Sequence, residues 1–163
     1  MSRVIFMCGP SGSGKSTYAR RLESEGMIRL SFDAEIWRRG IATMPPPPNV
    51  RDEIEADLRA RLLQLVGAGT DVVLDFSFWS RRMRDDYRKL LEPTGVVPEM
   101  IYLATDRDTV LNRIRARRGK HSDDYALTEE LAVHYFDHFE PPTPDEGPLE
   151  VIIQRGRNVA TLE

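Results

Sequence analysis

The chain predicts an α/β fold in which a parallel sheet is covered by helices on both faces. Short apolar runs alternate with longer amphipathic stretches along the 163 residues, the pattern of strands joined by helical crossovers. Three of the runs end on polar features: a glycine-rich loop, Asp33 and Asp75. Ligands of open parallel sheets bind beyond the carboxyl ends of the strands. The loop itself, Gly9-Pro10-Ser11-Gly12-Ser13-Gly14-Lys15-Ser16, matches the phosphate-binding pattern G-x-x-x-x-G-K-[ST] in full.

Val4 to Cys8 is an apolar run that reads as the first, buried strand, and Thr17 to Leu22 reads as the helix after the loop. Ile28, Leu30 and Phe32 form a second strand ending at Ser31-Phe32-Asp33, with a helix through Trp37 to Gly40. Pro45 to Pro48 reads as a stiff extended connector. Val50, Ile54, Leu58, Leu62 and Leu65 recur at helical spacing, and Gly67-Ala68-Gly69 ends that helix. Val72 to Leu74 is a third strand, ending at Asp75. Ser80 caps a helix to Leu91, stopped by Pro93 and Gly95. Met100 to Leu103 is the fourth strand. Thr105 with Asp108 resembles a capping box for a helix through Arg118. Gly119 to Tyr125 is polar, Thr128 starts another helix that ends before Pro141, and Val151 to Ile153 is the last strand.

The length suits one domain, residues 1–163, with a core of its own. A net charge of −3 gives no bulk basic footprint for nucleic acid. Cys8 is the one cysteine, so no internal disulfide forms, and its place in a strand makes it a core residue. No apolar run is long enough to span a membrane, and the expected location is cytoplasmic.

The loop carries the clearest chemistry. Gly9, Gly12 and Gly14 allow the backbone to wrap a phosphate chain, and successive backbone N–H groups of the loop meet at the positive end of a helix dipole, so that Gly9 to Thr17, with Pro10 shaping the turn, are the candidate nucleotide contacts. Lys15 reaches the terminal phosphates and the Ser16 hydroxyl is a ligand for Mg²⁺. Asp75 ends an apolar strand, the pattern of a carboxylate that holds Mg²⁺ against the phosphates; the alternative is a turn cap. Asp33 is a candidate general base for an acceptor hydroxyl, with Arg38 holding the acceptor; the alternative is that Asp33 only caps the next helix. Arg113 and Arg117 share a helix face, where one could stack on adenine and the other neutralise charge during transfer. The alternative is a solvated basic helix end. Arg81, Arg82, Arg84, Arg88 and Lys89 read as a solvated face interrupted by Asp85 and Asp86, ahead of an acceptor site. His134 and His138 are four apart, but no glutamate follows His134, so packed or surface histidines are expected rather than a zinc site.

These residues together resemble the small P-loop kinases that include zeta-toxin kinases, chloramphenicol phosphotransferase, gluconate kinase and the phage polynucleotide 5′-hydroxyl kinase. The carriers are residues 9–17, Ser31-Phe32-Asp33, Val72 to Ser77, Tyr102-Leu103, Leu111 to Gly119, and Phe139 to Glu146. The resemblance implies an adenylate-kinase-like P-loop NTPase fold, a three-layer sandwich whose five-stranded parallel sheet runs in the order 2-3-1-4-5. It also implies a lid near residues 119–127, Asp33 as acceptor-hydroxyl base, and Arg113 and Arg117 as adenine and phosphate contacts. The region between the second and third strands, about residues 33–68, is where members differ, so the acceptor does not transfer.

The expected function is transfer of the γ-phosphate of ATP, with Mg²⁺, to a hydroxyl of a small molecule. Lys15 and Arg117 would stabilise the transferring phosphoryl group. Two alternatives are a polynucleotide 5′-hydroxyl kinase and a regulatory ATPase without a small-molecule acceptor. The guanine-reading Asn-Lys-x-Asp motif is absent, which weakens the regulatory reading.

Overall fold

The structure is a computed structural model that describes residues 2–10, 12–41, 46–117 and 129–154. Its strands are β1 (Val4–Cys8), β2 (Ile28–Ser31), β3 (Val72–Asp75), β4 (Glu99–Thr105) and β5 (Leu149–Gln154). They form one sheet in the order β2-β3-β1-β4-β5, every pair parallel. This is the order that the resemblance implied.

Alternation along the strands divides the core into two layers. Val4, Phe6 and Cys8 of β1 face one side, with Leu30, Val72 and Leu74. Ile5 and Met7 face the other, with Val73, Ile101 and Leu103. Helix α3 (Pro48–Gly67) covers the first side with Ile54, Leu58, Leu62 and Val66, a stripe of every fourth residue. Helix α4 (Arg81–Leu91) adds Tyr87 and Leu91 to the same layer. The second side is covered by α1 (Lys15–Ser24) through Ala19 and Leu22. Burying each large aliphatic side chain here contributes roughly 1.5–3 kcal/mol. A smaller cluster joins Val110 and Ile114 of α5 (Arg107–Arg117) to Ala132 of α6 (Glu129–Asp137).

Several local expectations are corrected. Phe32 and Asp33 do not extend β2; they open α2 (Phe32–Arg38), because the Ser31 hydroxyl accepts the Ala34 N–H at 3.2 Å and caps the helix there. Asp106, not Thr105, caps α5: its carboxylate accepts the Thr109 N–H at 3.0 Å and the Thr109 hydroxyl at 2.7 Å. Thr105 is the last residue of β4, and its hydroxyl donates to the Ser13 carbonyl at 3.3 Å. Pro47 keeps the extended conformation expected of the proline run, but Pro48 is the first residue of α3, a position where proline's missing N–H has no cost. The first helix begins at Lys15 rather than Thr17, and the last strand is longer at both ends than Val151 to Ile153. Pro45, Ser11 and the lid expected near 119–127 lie outside the described residues.

Candidate active site

The phosphate loop leaves β1 and enters α1 through Gly14, whose φ of 95° is left-handed. No side chain caps α1 at Gly14, so the first N–H groups of the helix lack a side-chain acceptor and suit an anion. Gly12 also has a positive φ, 86°, and a Cβ there would stand 2.7 Å from the Val110 carbonyl. The loop therefore packs backbone to backbone on α5, which only glycine permits. Arg113 of α5 donates to the Gly12 carbonyl at 3.4 Å. Lys15, Ser16 and Ser13 are buried, and Thr17 is exposed. Arg117 closes α5, but its side chain lies outside the described residues.

Asp75 ends β3 with both oxygens buried and differently employed. Arg29 of β2 donates to Oδ2 through Nη2 at 2.7 Å and through Nε at 3.0 Å. Oδ1 has no hydrogen-bond partner. An unpartnered buried carboxylate oxygen is costly by itself. This oxygen and the buried Ser16 hydroxyl are both hard oxygen donors, the type that Mg²⁺ takes. The Ser13 hydroxyl is likewise buried without a partner.

A cavity of about 280 Å³ opens beside the loop and brings Lys15, Asp33 and Asp75 to one space. Asp33 lies in the first turn of α2, where a carboxylate is favoured by the helix dipole. The Ser31 hydroxyl, not Asp33, makes the capping bond that the helix needs. Arg38 is not among the lining residues; it is exposed and pairs with Glu35. Hydrogen bonds from Arg38, opposed by partial burial, hold the Glu35 carboxyl below its usual range. The lining cation beside Lys15 is Arg51, at the start of α3, for which no acidic partner is found among the described residues. Arg39 and Arg59 nearby are paired with Glu35, Asp57 and Glu55.

The rest of the wall is largely aromatic. Phe32 and Phe76 meet edge to face with centroids 4.8 Å apart, and Trp79, Tyr135 and Phe139 complete it. His134 of α6 and His138 just past its end line it as well, both exposed, with ring centroids 4.1 Å apart and planes tilted by 34°. The packing or surface role read from the sequence thus takes the form of a cavity wall. Helical spacing of His134, Tyr135 and His138 was the available signal; nothing in the local pattern marked Trp79, Arg29 or Arg51.

The second basic cluster is structural where it is buried. Arg84 is 1% exposed and donates to both Glu146 oxygens, at 2.8 and 3.3 Å. It also donates to the carbonyls of Phe78 at 2.7 Å and Glu140 at 2.9 Å. Arg88 donates to Glu146 at 2.9 Å, and Arg81 pairs with Asp145 at 3.0 Å. Burial works against the Glu146 charge, but the hydrogen bonds from Arg84, the Thr143 N–H and Arg88 bring its carboxyl down to about 2. Phe78 is the one non-glycine residue with positive φ, 47°, among the described residues. A bulky residue there is strained, and its buried ring stacks on Phe6 at 4.3 Å. The bond from Arg84 fixes its carbonyl, so the charge network holds the turn that presents Ser77 and Trp79 to the cavity. Burial also pushes the Cys8 thiol up to about 12, in keeping with a core residue.

Residues 4–142 match the AAA_33 family, described as an AAA domain. The chain belongs to this family, among the small P-loop kinases. It is 28% identical over 171 residues to a probable gluconokinase of Schizosaccharomyces pombe, across 98% of this chain and 84% of that protein. It is 30% identical over 129 residues to an adenylate kinase of Sphingopyxis alaskensis, across 72% of this chain and 59% of that one. Among solved structures, a sugar kinase from Janibacter superposes with a TM-score of 0.66 at 23% identity, covering 94% of this chain and 86% of that chain. A gluconokinase from Sinorhizobium meliloti superposes at 0.61 with 22% identity, covering 93% and 82%. At such identities the structural likeness speaks for the fold alone. No helix among the described residues is long and apolar enough to cross a membrane.

Proposed function

We propose that this P-loop kinase moves the γ-phosphoryl group of ATP to a hydroxyl of a small molecule. The observation that carries this reading is the meeting of Lys15, Asp33 and Asp75 at one cavity beside an uncapped helix N-terminus. The loop N–H groups and Lys15 would cradle the phosphates. Ser16 and Oδ1 of Asp75 would hold Mg²⁺, which when bound neutralises charge between the β- and γ-phosphates. Asp33 would orient the acceptor hydroxyl and take its proton. Arg113, which touches the loop, and Arg117 would contact the nucleotide, and the region 33–68 would supply the acceptor side through Asp33, Ile36, Pro46 and Arg51.

A polynucleotide acceptor is less well supported. Among the described residues the lining Lys and Arg are Lys15 and Arg51, short of the basic track that a phosphate backbone requires. The test is ADP release from ATP·Mg²⁺ across hydroxyl compounds and 5′-hydroxyl oligonucleotides, with GTP as competitor. Acceptor-dependent ADP release with small alcohols is the expected result. Slow hydrolysis unaffected by every acceptor would favour a regulatory ATPase instead.

A further inference from the structure

The cavity wall says more about the acceptor than its catalytic end does. We propose that the acceptor is an alcohol built on an aromatic ring, not an open-chain polyol; this rests on the kinase reading above. Five of the lining side chains are Phe32, Phe76, Trp79, Tyr135 and Phe139. Ile36 and Met83 extend the same apolar surface. Among the described residues no Asn, Gln or Thr lines the cavity and Ser77 is its one aliphatic hydroxyl; its other polar groups are charged side chains and the two imidazoles. A polyol carries a hydroxyl on almost every carbon, and each one buried without a partner costs about 1–3 kcal/mol. A ring has the opposite requirement, gaining from apolar burial and from offset or edge-on contact with other rings.

The exposed members of the wall point the same way. Trp79 is 45% exposed and Tyr135 is 37% exposed, although both are large rings. They come from two separate segments, Trp79 after β3 and Tyr135 on α6. Neither belongs to the buried core clusters. A planar body entering the cavity would cover ring surface that folding leaves exposed. Arg51 lines the same cavity with no described acidic partner, which would accommodate a carboxylate on the ring. In the reaction, the alcohol oxygen forms a bond to the γ-phosphorus of ATP as the bond from that phosphorus to the β–γ bridging oxygen breaks. ADP leaves with the electron pair, and the hydroxyl proton passes to the Asp33 carboxylate.

The experiment uses the full chain with ATP·Mg²⁺ for transfer and a non-hydrolysable ATP analogue for binding. The probes are 3-phenyl-1-propanol and 4-(hydroxymethyl)benzoate against D-gluconate and D-ribose. The ring alcohols are expected to bind, quench tryptophan fluorescence and give at least a tenfold higher kcat/KM than the polyols. Trp79→Leu and Tyr135→Leu should each raise the ring alcohols' KM about threefold to tenfold, with ATP affinity unchanged. Transfer to a polyol with no binding of ring alcohols would overturn the proposal while leaving the kinase reading intact. Ring-alcohol binding without transfer would support the proposed pocket and overturn the kinase reading. Absence of both binding and transfer would overturn both.

Discussion

Arg29 spends two donors on a single oxygen of Asp75, Oδ2, and leaves Oδ1 of the same carboxylate without a partner. The two side chains are 9% and 1% exposed, and they sit on neighbouring parallel strands in which Ser31 pairs with Asp75. The carboxylate is thus held by the sheet itself, with its other oxygen buried and unpartnered on a residue that lines the cavity.

Removing Arg29 should be far more damaging than removing a surface arginine. Breaking one partner from a buried ion pair costs about 3–5 kcal/mol, because the remaining charge is stranded. Arg29→Met is expected to lose that much stability in urea unfolding, and Arg29→Met/Asp75→Leu should recover part of it. If the single variant unfolds within about 0.5 kcal/mol of the parent, the pair is not the anchor described.

Lys15→Ala should abolish phosphoryl transfer, with a loss on the order of a thousandfold or more. The side chain is buried at the cavity, so the melting temperature is to be measured beside the rate. A folded variant with near-parental transfer would remove Lys15 from the proposed machinery.

Asp33→Asn separates chemistry from structure. Ser31 supplies the cap of α2, so the substitution keeps the cap and gives up the favourable position of a charge near the helix N-terminus, worth about 0.3–1 kcal/mol. Transfer should fall a hundredfold to ten-thousandfold while ATP affinity by calorimetry is unchanged. The companion Ser31→Ala should show the opposite pattern in stability, losing about 0.5–2 kcal/mol.

The Glu146 network gives a pH dependence with a definite sign. Its carboxyl lies at about 2 in the folded chain against 4.5 ordinarily. A lowered value means that its stabilisation is fully present above about pH 4.5 and disappears as pH falls toward 2. Thermal melts of the parent should therefore lose stability through that window. Glu146→Gln should be less stable at neutral pH and show a flatter acid limb. Parallel acid limbs in the two proteins would contradict the assignment.

The strands and the phosphate loop were readable because their signals are local: continuous apolar runs, and a loop whose glycines are required by backbone geometry. The helix boundaries at Phe32 and Asp106 were missed because a serine or threonine and an aspartate one or two residues apart, Ser31 with Asp33 and Thr105 with Asp106, offer equivalent caps in a sequence, and only the backbone direction selects one. Arg29 with Asp75, and Arg84 with Glu146, are 46 and 62 residues apart. No periodicity links such partners, so Arg84 reads as part of a solvated face and Arg29 carries no signal at all. The cavity wall was hidden for a similar reason, since Trp79, Tyr135 and Phe139 meet Phe32 only after the sheet has ordered them.

Arg84 also constrains the order in which the chain can assemble during synthesis. It leaves the ribosome well before Glu146, yet its place in the core depends on that carboxylate. A nascent chain ending short of residue 146 must either hold a guanidinium in the interior without its counter-ion or keep α4 away from the sheet. The α4 layer is therefore expected to lock late, when the connection between α6 and β5 emerges, whereas the loop and β1 to β3 have all their partners earlier. Deletions that stop before Glu146 would strand a charge in the core rather than merely trim a terminus.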